Sequence, residues 1–131
     1  MAPLSVTLLP TSPRIGRVTL VGEHDAYSAA HLEDELAVLA ESGLGVVVDL
    51  TETTFVDSQT LSVLLAGRHA AESGRRGFVL LLPPSNYTQV HRILDMTGLQ
   101  TAFVVEPNAE RAVAAAQAGR NTPTSVHSRV A

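Results

Sequence analysis

A chain of 131 residues, 45% of them apolar, is sized for one domain around a single core; its formal charge of −4 comes from 13 acids against 9 bases, every base an arginine. The absence of cysteine excludes disulfides, thiolate metal sites and cysteine nucleophiles together, and without a basic block to neutralise phosphates nucleic acid is not expected as a partner. Met1-Ala2-Pro3-Leu4 has no charged n-region leading into an apolar stretch, and no window approaches the roughly 18 apolar residues of a span, so a cytoplasmic protein without a membrane partner is expected.

Val6 to Leu9 is a short apolar run stopped by Pro10, which suggests an edge strand followed by a turn at Thr11-Ser12-Pro13. Ile15 to Val21 alternates, with Val18 and Leu20 on one face against Arg17 and Thr19, and Gly22 is expected to break this second strand. From Ala26 the period changes to that of a helix: Leu32, Leu36 and Leu39 share a face opposite Glu33, Asp34 and Glu35, and Gly43 closes it. Val46-Val47-Val48 leading to Asp49 has the continuous β-branched character of a strand covered on both sides, at the centre of the sheet.

Thr51 to Phe55 reads as a linker. A second helix starts near Ser58, with Leu61, Leu64, Leu65 and Arg68 on one stripe, and ends at Gly74 to Gly77. Phe78 to Leu82 is a further buried strand before Pro83-Pro84. Ser85 or Asn86 is expected to cap a third helix with the stripe Val90, Ile93, Leu94 and Thr97, stopped by Gly98. Ala102 to Val105 reads as the last strand, and Ala109, Val113 and Ala116 as the packing face of a closing helix. The domain is therefore placed at 1–118, and the polar, aperiodic remainder, 119–131 with Pro123, is expected to be a disordered tail.

Strands alternating with helices give an α/β class with parallel crossovers, while the short loop after the first strand pairs it antiparallel at the edge. The fold expected is a mixed, mostly parallel sheet of about five strands with about four helices. With no lysine in the chain, neither a P-loop nor a phosphoaspartate receiver has the cation it needs, and no Gly-x-Gly-x-x-Gly follows a strand. Ser58, a histidine and Asp25 contain the residue types of a serine hydrolase, but Val56-Asp57-Ser58-Gln59-Thr60 lacks the small residues of a nucleophile elbow. His24, His31, His69, His91 and His127 show no His-x-x-x-His spacing, so no metal is expected. Read locally, Asp25 and Asp57-Ser58 are helix caps.

Gly22-Glu23-His24-Asp25, Val46-Val47-Val48-Asp49-Leu50, Phe55-Val56-Asp57-Ser58 and Met96-Thr97-Gly98-Leu99 follow one another in an order that resembles the STAS domain. The resemblance runs from about Ser5 to Ala118 and implies the STAS fold. Within that family the chain is similar to the free-standing anti-sigma factor antagonists, or anti-anti-sigma factors, in which a phosphorylatable serine directly follows the aspartate after the third strand. The resemblance implies phosphorylation at Ser58, with Glu23, Asp25, Asp57, Gln59 and Thr60 as partner-binding residues.

The same resemblance implies a regulator of transcription that is not an enzyme and needs no cofactor. It binds a serine-kinase anti-sigma factor in partner switching, is inactivated when that kinase phosphorylates Ser58, and is restored by a serine phosphatase. The family usually continues Asp-Ser-Ser-Gly or Asp-Ser-Thr-Gly, whereas this chain continues Asp57-Ser58-Gln59-Thr60. A β-branched Thr60 is expected to fill space through which a partner would approach. The alternative is a STAS scaffold or ligand-binding regulatory module that is not phosphorylated.

Overall fold

The protein is described by a computed structural model covering residues 3–123. Five strands lie in the order in which the chain makes them: β1 (Leu4–Leu9), β2 (Ile15–His24), β3 (Gly45–Val56), β4 (Phe78–Leu81) and β5 (Val104–Glu106). β1 runs antiparallel to β2 and every later pair is parallel, the mixed sheet expected. Between the strands run α1 (Ala26–Glu41), α2 (Ser58–Ser73) and α3 (Gln89–Thr97), and α4 (Ala109–Gln117) closes the domain.

Alternation along the strands divides the core between two faces of the sheet. Val18, Leu20, Val48 and Leu50 face Leu32 and Leu36 of α1, Leu61 and Leu64 of α2, and Leu94 of α3. Ile15, Val47, Val79 and Val104 point the other way, onto Ala112 and Ala116 of α4. The short side chains of α4 bring its backbone down onto the sheet. A Cβ at Gly77 would stand 2.2 Å from the Ala116 carbonyl oxygen, so no other residue fits there without displacing α4.

Several boundaries differ from the sequence expectations. Gly22 does not break β2: at φ 81° it lets the strand bulge and continue to His24. Thr51 to Phe55, expected as a linker, belongs to β3, because β2 continues far enough to pair with it. Thr88 caps α3, its hydroxyl accepting from the His91 amide, whereas Ser85 closes the preceding turn by accepting from Tyr87 N. Thr97, placed on the buried stripe of α3, is exposed, and its hydroxyl donates to the Ile93 carbonyl at 2.7 Å. β5 begins at Val104, after a 3-10 turn at Leu99–Thr101, and the buried face of α4 is Ala112, Ala115 and Ala116.

Residues 119–123, expected to lie in the tail, run along the domain. Phe78 N donates to the Arg120 carbonyl at 2.9 Å, and Arg120 Nη1 lies 3.0 Å from Glu106 Oε2. Asn121 Nδ2 donates to the Arg76 carbonyl at 3.0 Å. The remainder of the expected tail, 124–131, and with it His127, lies outside the described residues, as do Met1 and Ala2.

Candidate functional site

β4 reaches only as far as Asp49 of β3, so the last part of β3 projects past it, paired with β2 alone. Along this projecting ribbon the register shifts twice, each time with one residue more on β3 than on β2. The shifts change which side chains turn inward, leaving Leu50, Thr53 and Val56 buried and the residues between them exposed. Thr53 is nevertheless satisfied, its hydroxyl donating to the Leu20 carbonyl at 2.8 Å.

The net result is that His24 stands opposite Val56, and both strands end together. The next residue in each is an aspartate that caps a helix. Asp25 Oδ1 accepts from the amides of Tyr27 and Ser28 at 3.0 and 3.2 Å, while Ser28 Oγ accepts from Asp25 N, a reciprocal capping box. Asp57 Oδ1 accepts from Thr60 N at 2.9 Å and faces the Thr60 hydroxyl at 3.0 Å. The two caps are tied across the ribbon, because the His24 carbonyl accepts from Asp57 N at 3.2 Å and lies 3.3 Å from Thr60 Oγ1.

His24 itself is buried, with Nε2 3.1 Å from the Val21 carbonyl and Nδ1 3.1 Å from Ser28 Oγ. It is thereby committed to the α1 cap and is not disposed as a base for Ser58. His31 lies beside Glu35, His69 beside Arg68 and Glu72, and His91 bonds Thr88. Among the described residues no group of three or more histidines and acids is placed to hold a metal.

Ser58 is the first residue of α2 and is exposed. Its carbonyl accepts from Ser62 Oγ, and its own hydroxyl makes no hydrogen bond among the described residues. Asp57 is half-buried and Glu23, Asp25 and Gln59 are exposed, so four of the residues expected around Ser58 are open to a partner. Thr60 is not: at 1% exposure it lies under the turn, where its hydroxyl joins the Asp57 cap to His24. The expectation that Thr60 fills the approach to Ser58 is therefore corrected. Its bulk goes into the domain.

One residue that sequence reasoning missed completes the site. Beyond the end of β4 the Val56 peptide groups have no strand beside them, and Gln89 of α3 takes that place. Its Oε1 accepts from Val56 N at 2.9 Å and its Nε2 donates to Val56 O at 2.8 Å. No sequence signal marks it, since a glutamine in the first turn of a helix is ordinarily solvated. Phe55, Tyr27 and Tyr87, which precede or follow these caps, are 39%, 91% and 86% exposed, giving this end of the sheet an apolar as well as an acidic surface.

Asp49 does not join the site. It is buried on the α4 side of the sheet, bonded to Arg17 Nη2 at 2.5 Å and to the amide and hydroxyl of Thr51. Burial pushes its carboxyl up, but the Thr51 and Arg17 hydrogen bonds outweigh burial and hold it below the usual carboxylate value.

A family profile described as Mlab, STAS domain, matches residues 9–106. No curated protein matches the chain. An anti-sigma factor antagonist from Mycobacterium paratuberculosis is similar in structure, with 22% identity, 88% of this chain and 97% of that one covered, and a TM-score of 0.69. The unphosphorylated anti-sigma factor antagonist SpoIIAA is 14% identical over 84% of this chain and 94% of its own, with a TM-score of 0.63. The Bacillus cell fate determinant SpoIIAA in its phosphorylated form is 16% identical over 84% and 97%, also with a TM-score of 0.63. At such identities the likeness is one of fold.

Proposed function

The chain belongs to the STAS domain family, and from that premise we propose that it is an anti-sigma factor antagonist, a binding protein rather than an enzyme, switched off by phosphorylation of Ser58. The observation that carries the proposal is the position of one hydroxyl: exposed, unbonded among the described residues, and held at the first residue of a helix by a cap on the neighbouring aspartate. A kinase active site reaches such a group without unfolding anything. ATP, magnesium and the catalytic base belong to the kinase.

The same position explains how phosphate can change binding without changing the fold. A phosphoserine carries about −1.5 to −2 charges. Placed at the start of α2 it faces the open amides of the first turn and the positive end of the helix dipole, worth about 0.3–1 kcal/mol per charge, which offsets part of the repulsion from Asp57 and Asp25. At an interface no such compensation exists. Burying the phosphate, or setting it against partner carboxylates, costs several kcal/mol, and about 2.8 kcal/mol is already a hundredfold in affinity.

The partner in this reading is a serine-kinase anti-sigma factor. It docks on the surface of Glu23, Asp25, Phe55 and Gln59, and a serine phosphatase reverses the modification. The buried Thr60 supports this over the alternative, because the chain's departure from the usual Ser-Gly or Thr-Gly leaves only Gln59 on the surface. Exposed Gln59 is what favours the second reading, a STAS scaffold or ligand-binding module that is never phosphorylated. Incubation with ATP and the cognate kinase, followed by intact mass and peptide mapping, separates the two. One phosphate on Ser58, absent from Ser58→Ala, is expected; an unmodified chain beside a kinase active on another substrate contradicts the switch.

A further inference from the structure

α1 and α2 pack side by side on the sheet, but their outward flanks do not close over it. Between them lies an open groove of about 160 Å³, with buried Leu36, Val46 and Phe78 as its floor and exposed Ala37, Ala66 and Ala70 as its walls. Gly67 keeps the floor open, since a Cβ there would press within 3.1 Å of Leu36 and 3.0 Å of Phe78. All the lining residues are apolar except two, Glu33 and Arg76.

Those two differ in kind. Glu33 is exposed on α1, two helical turns and about 10 Å from the Arg76 end of the groove, and is screened by water. Arg76 is half-buried beyond the C-terminus of α1, where Nη1 donates to the Leu44 carbonyl at 3.0 Å. The other arginines withdrawn from solvent, Arg17, Arg68 and Arg120, each face a carboxylate. Among the described residues Arg76 faces none, although burial pulls its guanidinium below its ordinary value. A half-buried cation without a carboxylate partner among the described residues, at the end of an apolar cleft, favours an anion carried on an apolar body.

We propose that the groove binds a linear aliphatic carboxylate, its chain lying between α1 and α2 and its head group on Arg76. A cavity of about 150 Å³ accommodates the six carbons of benzene, so the groove shelters a chain of about that length and lets a longer one continue outward. The site is separate from Ser58, and neither its occupation nor its test depends on phosphorylation.

Titration of the full chain with sodium octanoate, octanol and octylammonium, followed by amide NMR shifts, tests this. Octanoate is expected to shift the amides around Ala37, Ala66 and Ala70 and to bind about tenfold more tightly than octanol. Arg76→Gln is expected to remove that preference, Arg76→Lys to keep most of it, and Ala66→Leu, at an exposed wall position, to block both ligands, with unchanged urea midpoints reporting intact folds. Equal binding of the three ligands, shifts confined to another surface, or a preference that survives Arg76→Gln would overturn the proposal. So would a dimer of the chain, seen by sedimentation, that already covers these residues.

Discussion

Ser58 and Thr60 sit two residues apart on α2 and do opposite things. The outward hydroxyl is exposed and makes no hydrogen bond among the described residues, and the inward one is buried in the Asp57 cap. Ser58→Asp should therefore leave the unfolding free energy from urea titration within about 0.5 kcal/mol of the parent, the range of ordinary surface changes. Thr60→Val, which keeps the shape and loses the bond to Asp57 and His24, should cost about 1–2 kcal/mol by chemical denaturation. Asp49 contributes to the acid limb of stability instead. Its folded carboxyl titrates below the ordinary value of 3.8, so its contribution is complete above that value and is lost as pH falls through the lower, folded one. Asp49→Asn should lose about 1–3 kcal/mol at pH 7, towards the lower end because Arg17 is 33% exposed at its side chain, and the gap from the parent should narrow below pH 4 in urea titrations.

At the scale of elements, the candidate site exists because β2 and β3 outrun the rest of the sheet and end in register, and Gln89 replaces the missing neighbour at that end. Gln89→Ala should leave both Val56 peptide groups without their partner, with hydrogen exchange at the Val56 amide accelerated at least tenfold while amides of the central strands keep their protection. Gly77→Val should be far more damaging, costing more than about 3 kcal/mol, because its side chain would occupy the backbone of Ala116. The regular parts of this architecture were legible in the residues: β-branched runs for the buried strands, leucine spacing for α1 and α2, aspartates for the caps. The projecting ribbon was not. Inward residues Leu50, Thr53 and Val56 are three apart rather than two, since each register shift adds a residue to β3, and a strand with that spacing has no period to read. Gln89 escaped for a related reason: its role depends on where β4 stops, which no local pattern records.

At the scale of the whole domain, α1, α2 and α3 cover one face of the sheet and α4 the other among the described residues, and the turn into Ser58 is held by the Asp57 cap, Thr60 and Gln89. No helix among the described residues is long and apolar enough to cross a membrane. On the proposed switch, a domain anchored in this way is expected to take a charge at Ser58 without changing shape. The central claim is thus about affinity at constant structure, and it is tested most directly by titrating the serine-kinase anti-sigma factor with the unmodified chain and with the chain phosphorylated at Ser58. At least a hundredfold weaker binding of the phosphorylated chain, with the same unfolding midpoint, is the predicted result. Equal affinity of the two forms would contradict it.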